Sequence, residues 1–97
     1  MNNQTDHNIW DSIGFIMISP YRLKILEHLY IQSALPSQIS SKIKKPIGHI
    51  SNLLKGLQER KLIVCKTPNL KKGRIYSITE LGRDVHESIL KIKEKKE

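Results

Sequence analysis

The sequence lacks the features that would place it in or beyond a membrane. Its longest apolar run, the stretch "IGFIMI", is far shorter than the roughly 20 residues that a membrane-spanning helix needs. The N-terminus is polar and acidic, unlike a secretory leader, in which a basic segment precedes an apolar one. With one cysteine in 97 residues, no disulfide can form within the chain, as is usual in a reducing compartment. The sequence therefore predicts a cytoplasmic protein that does not associate with membranes.

Residue patterns typical of a metal site or a catalytic centre are also missing. The four histidines are scattered, without a His-x-x-x-His spacing or a pair of cysteines. There is no glycine-rich phosphate loop, and most acidic residues alternate with lysines on predicted helix surfaces. We therefore expect no enzymatic activity, no cofactor and no metal ion. Cys65 is expected to be a small core residue, with Lys66 as the one evident basic neighbour that would lower the pKa of its thiol, and a redox role stays open.

Negative charge is scarce, with nine Asp and Glu against 17 Lys and Arg, so the net charge is +8. The excess lies in the middle of the chain. Residues 20–66 hold nine Lys and Arg against two Glu, and residues 67–79 add three basic residues without an acidic one. A localised positive field predicts a polyanionic partner. Nucleic acid is favoured over anionic lipid because the chain has no basic amphipathic anchor.

The length and the 38% of hydrophobic residues indicate one globular domain with a modest core. Residues 1–7 are predicted to form a disordered tail, and residues 8–97 the domain. A first helix is expected to begin at Asp6 or Asn8. It contains the segment "NIWDSIGFIMI", which is too hydrophobic on all sides to be solvated and must pack against something.

Helix signals continue after this segment. Ser19 and Pro20 are typical of a helix start, because serine caps the free N–H groups and proline fits the first turn. A short helix is expected from about Ser37. Pro46 then begins a helix that runs to about Arg60. Two short helices separated by a tight turn, the second with a continuous apolar stripe, are typical of a helix-turn-helix.

The helical pattern ends at Lys61, and a hairpin is predicted next. The segments "LIVCK" and "RIYSI" are rich in β-branched residues, and "TPNLKKG" between them contains turn residues. Thr79 is a suitable N-cap for a final helix. The predicted fold class is mainly α with a small antiparallel β-hairpin (α+β), and the order of elements is that of a winged helix-turn-helix.

Four segments carry a resemblance to a known family: "SPYRLKILEHL", "LPSQISSKI", "HISNLLKGLQERKLIV" and "KKGRIYSITELGRDV". Over roughly Trp10 to Ile89 they resemble the small MarR/ArsR-like transcriptional regulators common in archaea. The stretch "ISNLLKGLQERKLI" is similar to the recognition-helix signature "VSxHLxxLxxxGLV" of that family. Two positions depart from the family pattern, since Ser40 replaces a usual alanine and Lys61 a usual glycine. Lys61 is therefore expected to adopt a left-handed conformation unless the turn differs.

The resemblance implies that the helix over about 46–60 enters the major groove of double-stranded DNA and that the basic wing over about 67–74 reaches the flanking minor groove. Polar outward residues of the helix suit base edges, and Asn52 suits bidentate pairing with adenine. Tyr21, Arg22 and Tyr76 could add hydrogen bonds to phosphates, although half-buried packing is the favoured role of the two tyrosines. The predicted DNA-binding residues are Lys42, Lys44, Lys45, Gly48, His49, Ser51, Asn52, Lys55, Lys71, Lys72 and Arg74.

A homodimer is also expected, because a single recognition helix reads only a few base pairs. The first segment and the last helix contain more apolar residues than one small core obviously needs. The predicted dimer-interface residues are Ile9, Trp10, Ile13, Phe15, Met17, Val85, Ile89 and Ile92. The alternative is that both segments cover the core of their own monomer.

Two other functions compete with the regulator hypothesis. The domain could be a winged-helix protein–protein interaction module, or a non-specific, chromatin-like DNA-binding protein. Lysines rather than apolar anchors on the outward face favour DNA over a protein partner. The operator sequence, the target genes, activation or repression, and any small-molecule effector stay open.

Overall fold

The computed structural model describes residues 3–95, with side chains over residues 9–94. The elements in this part of the chain are α1 (Asn3–Met17), α2 (Pro20–Ile31), α3 (Pro36–Ile43), α4 (Ile47–Glu59), β1 (Ile63–Cys65), β2 (Tyr76–Ile78) and α5 (Glu80–Lys95). Helices α2 to α4, the β1–β2 hairpin and α5 form a winged helix-turn-helix, which confirms the predicted fold class. None of the helices over residues 3–95 is both long and apolar enough to cross a membrane.

Capping residues explain where the helices begin. Ser19 Oγ accepts a hydrogen bond from the backbone N–H of Arg22 at 3.3 Å, and Pro20 occupies the first position of α2, as predicted. Helix α4 begins directly after Pro46, and its first backbone bond runs from the Ile50 N–H to the Pro46 carbonyl at 3.0 Å. The helix starts that the sequence marks with serine and proline therefore hold to within a residue or so.

Helix α1 differs from its prediction. It begins at Asn3 rather than at Asp6 or Asn8. The predicted disordered tail over residues 1–7 lies partly outside the described residues, and its described part, residues 3–7, is helical instead. The assignment of α1 and α5 to dimerisation stays a prediction.

Helices α3 and α4 are each followed within two residues by a lysine in the left-handed conformation, with φ of 67° at Lys44 and 63° at Lys61. At the end of α4, the Leu62 N–H donates to the Leu57 carbonyl at 3.1 Å and the Lys61 N–H to the Gln58 carbonyl at 2.9 Å. These two bonds form a Schellman motif, which normally has a glycine at the left-handed position. The expected left-handed conformation of Lys61 is therefore confirmed.

The core lies between the helices and the inner face of the hairpin. It consists of these buried apolar side chains: Ile13, Ile16, Ile25, Leu26, Leu29, Ala34, Ile39, Ile50, Leu54, Leu57, Leu62, Ile63, Cys65, Tyr76, Val85 and Ile89. Helix α5 packs against both α1 and α2. Cys65 is a core residue, as predicted, and Tyr76 is more deeply buried than the half-buried position predicted for it.

The hairpin is tied to the segment between α2 and α3. Within the hairpin, Cys65 pairs with Tyr76 and Ile63 with Ile78. On the other edge of β2, Ala34 exchanges two backbone hydrogen bonds with Tyr76, of 3.0 and 2.9 Å. The wing is therefore attached to the helix-turn-helix by backbone bonds as well as by side-chain packing.

Helix α5 is seated on the turn between α4 and β1. Thr79 Oγ1 caps α5 by accepting from the Gly82 N–H at 3.0 Å, and its backbone N–H donates to the Leu62 carbonyl at 3.0 Å. Helix α5 approaches the α4–β1 turn so closely at Gly82 that a Cβ atom there would lie 2.2 Å from the Leu62 carbonyl oxygen. Glycine is required at position 82 by this contact rather than by its backbone conformation.

Candidate nucleic-acid interface

Helix α4 has one buried and one exposed face. Ile50, Leu54 and Leu57 are buried in the core. The four polar residues predicted to meet base edges are exposed, and they are His49, Ser51, Asn52 and Lys55. Gly48, the other predicted DNA-binding residue of this helix, is also exposed. Nothing lies within 4 Å of the point where a Cβ of Gly48 would be, so a partner can approach the backbone there.

The basic wing lies beside this exposed face. Ile47 and Ser51 of α4 line a cleft of about 470 Å³ together with the start of α3 and the wing. The wing residues in this cleft are Lys71, Lys72, Gly73 and Arg74. The recognition-type helix and the wing thus face the same side of the molecule, which the DNA-binding hypothesis requires.

Local hydrogen bonds shape the wing. Thr67 Oγ1 accepts from the Ile75 N–H at 3.0 Å, and the Lys66 N–H donates to the Ile75 carbonyl at 2.7 Å. Gly73 has a φ of 72°, a left-handed value that glycine adopts without strain. The bonds at the base leave Lys71 and Lys72 exposed at the tip, where their charges can meet a polyanion.

Arg74 differs from the other wing cations because it is half-buried beside Cys65. Burial raises the pKa of the Cys65 thiol, but hydrogen bonds from Arg74 and Thr67, together with the charge of Arg74, outweigh it and lower that pKa overall. Lys66 was expected to be the basic neighbour of Cys65, and this was wrong, because the hairpin register brings Arg74 diagonally opposite Cys65. No group of three or more His, Cys, Asp or Glu side chains in the described chain is placed to hold a metal ion.

The other flank of α4 meets the start of α2. The Tyr21 ring lies 5.8 Å from the His49 ring, centroid to centroid, in an edge-on arrangement. The Lys45 ammonium is 4.4 Å from the Tyr21 ring centroid, and that of Lys24 is 5.9 Å away. Tyr21 is half-buried, as predicted, but its neighbours are basic side chains that the sequence analysis had not connected with it.

The predicted lysine cluster around the α3–α4 turn is divided between two surfaces. Lys45 faces Tyr21, whereas Lys42 and Lys44 line a groove of about 420 Å³ between α2 and α3, with His28 on its wall. Lys24 lines the same groove and also lies 5.9 Å from the Tyr21 ring centroid, so the two surfaces adjoin at Lys24.

The predicted dimer-interface residues also divide into two groups. Ile13, Val85 and Ile89 are buried in the core of their own chain, so they offer no area to a second copy. At these three positions the side chains cover the core of their own chain, whereas the dimer itself stays a prediction. Phe15 is covered by Arg22 and Arg60, whose guanidinium carbons lie 3.8 and 4.3 Å from its ring centroid.

The remaining predicted interface residues stay accessible. Trp10 is 65% exposed and Met17 is also exposed. Ile9 and Ile92 are partly buried and line, with Trp10, a small cavity of about 190 Å³ between α1 and α5. Ile18, which follows α1, is 78% exposed.

No protein-family model and no curated protein matches the chain, whereas solved structures do. A double mutant of ZitR from Lactococcus lactis is 27% identical with a TM-score of 0.70, over 79% of this chain and 53% of that one. The MarR family transcription regulator SP03579 is 21% identical with a TM-score of 0.74, over 91% and 60% of the two chains. Mb0332 from Mycobacterium bovis is 18% identical with a TM-score of 0.68, over 95% and 82%.

The similar structures are regulators with DNA-binding domains. Another ZitR mutant is in complex with DNA, with 26% identity and a TM-score of 0.66 over 79% of this chain. Mb0332 is described as a homodimeric winged helix-turn-helix DNA-binding domain of a possible ArsR-family transcriptional regulator. The present chain spans about half of the ZitR chain that it matches, 53%. These comparisons establish the winged-helix fold shared with MarR- and ArsR-type transcription regulators.

Proposed function

We propose that this protein is a sequence-specific transcriptional regulator that binds double-stranded DNA, with α4 in the major groove and the wing at the flanking minor groove. The observation that carries the proposal is the cleft in which Ser51 of α4 lies beside Lys71, Lys72 and Arg74. A B-form major groove accepts one helix. A wing beside that helix can contact the DNA backbone and the neighbouring minor groove only if the helix and the wing face the same side of the protein.

The exposed centre of α4 suits direct contact with base edges. Asn52 can pair bidentately with adenine, and Lys55 can donate to guanine or to a phosphate. Gly48 lets the DNA approach the backbone, since a side chain is missing there. Ile47, which is 52% exposed, provides an apolar surface for a thymine methyl group.

Phosphate contacts would supply most of the affinity. The basic residues proposed for this role are Lys42, Lys44, Lys45, Lys71, Lys72 and Arg74. Each phosphate contact releases condensed counterions, so the binding constant falls steeply with salt. In addition, an arginine suits a narrow minor groove, which is the proposed position of Arg74.

We further propose a homodimer that uses the accessible apolar surface of α1 and α5 around Trp10. Two copies would present two recognition helices to two half-sites. The homodimeric state of Mb0332, a similar winged-helix domain, supports this proposal. Sedimentation of the wild type and of Trp10→Ser at micromolar concentrations tests it, and a wild-type monomer would contradict it. The cytoplasmic location stays a prediction. The archaeal type of regulator also stays a prediction, since the named similar structures come from Lactococcus lactis and Mycobacterium bovis.

Selection of binding sites from random duplexes, followed by anisotropy titrations at two salt concentrations, tests the DNA assignment. Asn52→Ala should weaken binding to the selected site by roughly tenfold and leave binding to random duplex nearly unchanged. The double variant Lys71→Ala/Lys72→Ala should weaken both and reduce the salt slope by about 2. Arg83→Ala/Lys93→Ala removes the same charge from α5 and is the matched control.

The same titrations separate the competing functions. Equal affinity for selected and random duplexes would favour a non-specific DNA-coating protein. No binding to any duplex would favour a protein-interaction module, for which Ile47 and the exposed Leu70 at the wing tip would be the apolar anchors. Wild-type affinity in both the Asn52 and the wing variants would remove the DNA assignment from these two surfaces.

A further inference from the structure

Tyr21 is surrounded by three basic side chains from different parts of the chain. The Lys45 ammonium lies 4.4 Å from the ring centroid, and the Lys24 ammonium 5.9 Å from it. The His49 ring meets it edge-on at 5.8 Å, with 63° between the ring planes. The first turns of α2 and α4 and the link before α4 are thus brought together around one aromatic ring. We call these four residues the Tyr21 cluster.

The Tyr21 cluster brings together the positive charges of two lysines. Neither Lys24 nor Lys45 forms an ion pair with a carboxylate in the part of the chain that the structure describes. A hydrogen-bonding interaction with Lys45 and its charge, helped by the charge of Lys24 and opposed by burial, lowers the pKa of Tyr21. The phenol therefore lies in a positive field, which is suited to an external anion.

The cluster lies on the flank of α4 that faces away from the wing. His49, which contacts Tyr21, and Ser51, which lines the wing cleft, are two positions apart. Two positions on an α-helix point about 160° apart around its axis. Gly48 and Asn52 lie between these two flanks on the exposed side of α4. The exposed centre of α4 is therefore bracketed by basic groups on both sides.

We propose that Tyr21 organises a phosphate-binding cluster with Lys24, Lys45 and His49, which holds the DNA strand on the flank of α4 opposite the wing. This inference rests on the proposed DNA-binding function. Ammonium, imidazole and phenol groups all donate hydrogen bonds to phosphate oxygens. Tyr21 is primarily a positioning residue, because its ring attracts the Lys45 ammonium and supports the His49 ring before DNA arrives. Holding long side chains in place beforehand reduces the entropy lost on binding.

The test compares Tyr21→Phe, which keeps the ring, with Tyr21→Leu, which removes it. Tyr21→Leu should weaken DNA binding by about three- to tenfold, and Tyr21→Phe by less than about threefold. Lys45→Ala should weaken DNA binding much less in the Tyr21→Leu background than in the wild type, because the contact between Lys45 and the ring is already lost there. Urea midpoints of all variants show whether the fold is unchanged. DNA binding retained in Tyr21→Phe would show that the ring, rather than the hydroxyl alone, is responsible.

A second measurement reads the cluster without DNA. In NMR spectra of the free protein, the Lys45 ε-methylene protons should be shifted upfield by the ring in the wild type and in Tyr21→Phe, and return to ordinary positions in Tyr21→Leu. Ordinary positions in the wild type would overturn the cluster itself. DNA binding by Tyr21→Leu that matches the wild type would overturn its phosphate role while leaving the proposed function intact. An intact cluster in a protein that binds no duplex would overturn both.

Discussion

Replacing Gly82 with alanine tests the junction between α5 and the α4–β1 turn. The new methyl group would lie 2.2 Å from the Leu62 carbonyl oxygen and 2.6 Å from Ile78 Cγ1. Ordinary van der Waals contact is more than about 1 Å longer, so helix and turn must separate. Overpacking of this kind costs about 1–3 kcal/mol. Separation also strains the bonds of Thr79 to the turn, at about 1 kcal/mol each, while alanine regains about 1 kcal/mol in helix propensity.

The expected net loss for Gly82→Ala is therefore about 2–4 kcal/mol in the free energy of unfolding. Urea denaturation should show it as a midpoint lowered by about 1–2 M with little change in slope. Gly14→Ala is the control, because Gly14 lies in α1 with nothing within 4 Å of its Cβ position. That variant should be unchanged or more stable by up to about 1 kcal/mol. A Gly82→Ala protein as stable as the Gly14→Ala protein would refute the close contact.

Three further predictions concern single residues. Gly48→Ala should raise the free energy of unfolding by up to about 1 kcal/mol and weaken DNA binding by about fivefold or more, and unchanged affinity would show that DNA does not approach this backbone. Lys61→Gly should stabilise the protein by about 1 kcal/mol in urea denaturation, because it removes the strain of a left-handed lysine, and a destabilised variant would contradict this. Burial lowers the pKa of His86, although the charges of Glu27 and Glu87 act in the opposite direction. The unfolded chain therefore binds the proton more readily, and stability should fall as pH drops below about 6.5; a His86→Gln variant with the same acid slope in urea midpoints would disprove the assignment to His86.

The order of elements and the helix starts other than that of α1 could be predicted because they depend on local chemistry. Ser19, Pro46 and Thr79 act within one helical turn of themselves, and proline and capping side chains have the same effect in almost any fold. The left-handed conformation of Lys61 could be anticipated from the resemblance, since a glycine is usual there. The exposed face of α4 could be predicted from its apolar stripe, because the stripe marks the buried face and the exposed face lies opposite.

The division of apolar residues between core and surface could not be predicted. An apolar stripe on a helix has the same spacing whether its own chain or a second copy covers it. Ile13, Val85 and Ile89 are buried within the chain, whereas Trp10 is exposed, although all four are apolar residues of α1 and α5. Only the packing of α1 against α5 separates the two cases.

Contacts between distant residues were missed for a related reason. Arg74 lies beside Cys65 because of the register in which β1 and β2 pair. A shift of that register by one residue would place the two side chains on opposite faces of the hairpin. Tyr21 meets His49 because two helix starts come together in space. Neither relation leaves a mark in local sequence, where tyrosine and arginine have many ordinary roles.

The paired hydrogen bonds between Ala34 and Tyr76 join the α2–α3 connection to the outer edge of β2 as a one-residue β-bridge. A displacement of β2 would therefore also displace the beginning of α3, and a tilt of α3 would move the hairpin. The distance between the wing and the helix-turn-helix is therefore held by backbone rather than left to a flexible joint. A signal that reorients one of these parts must move the other with it or break these two hydrogen bonds.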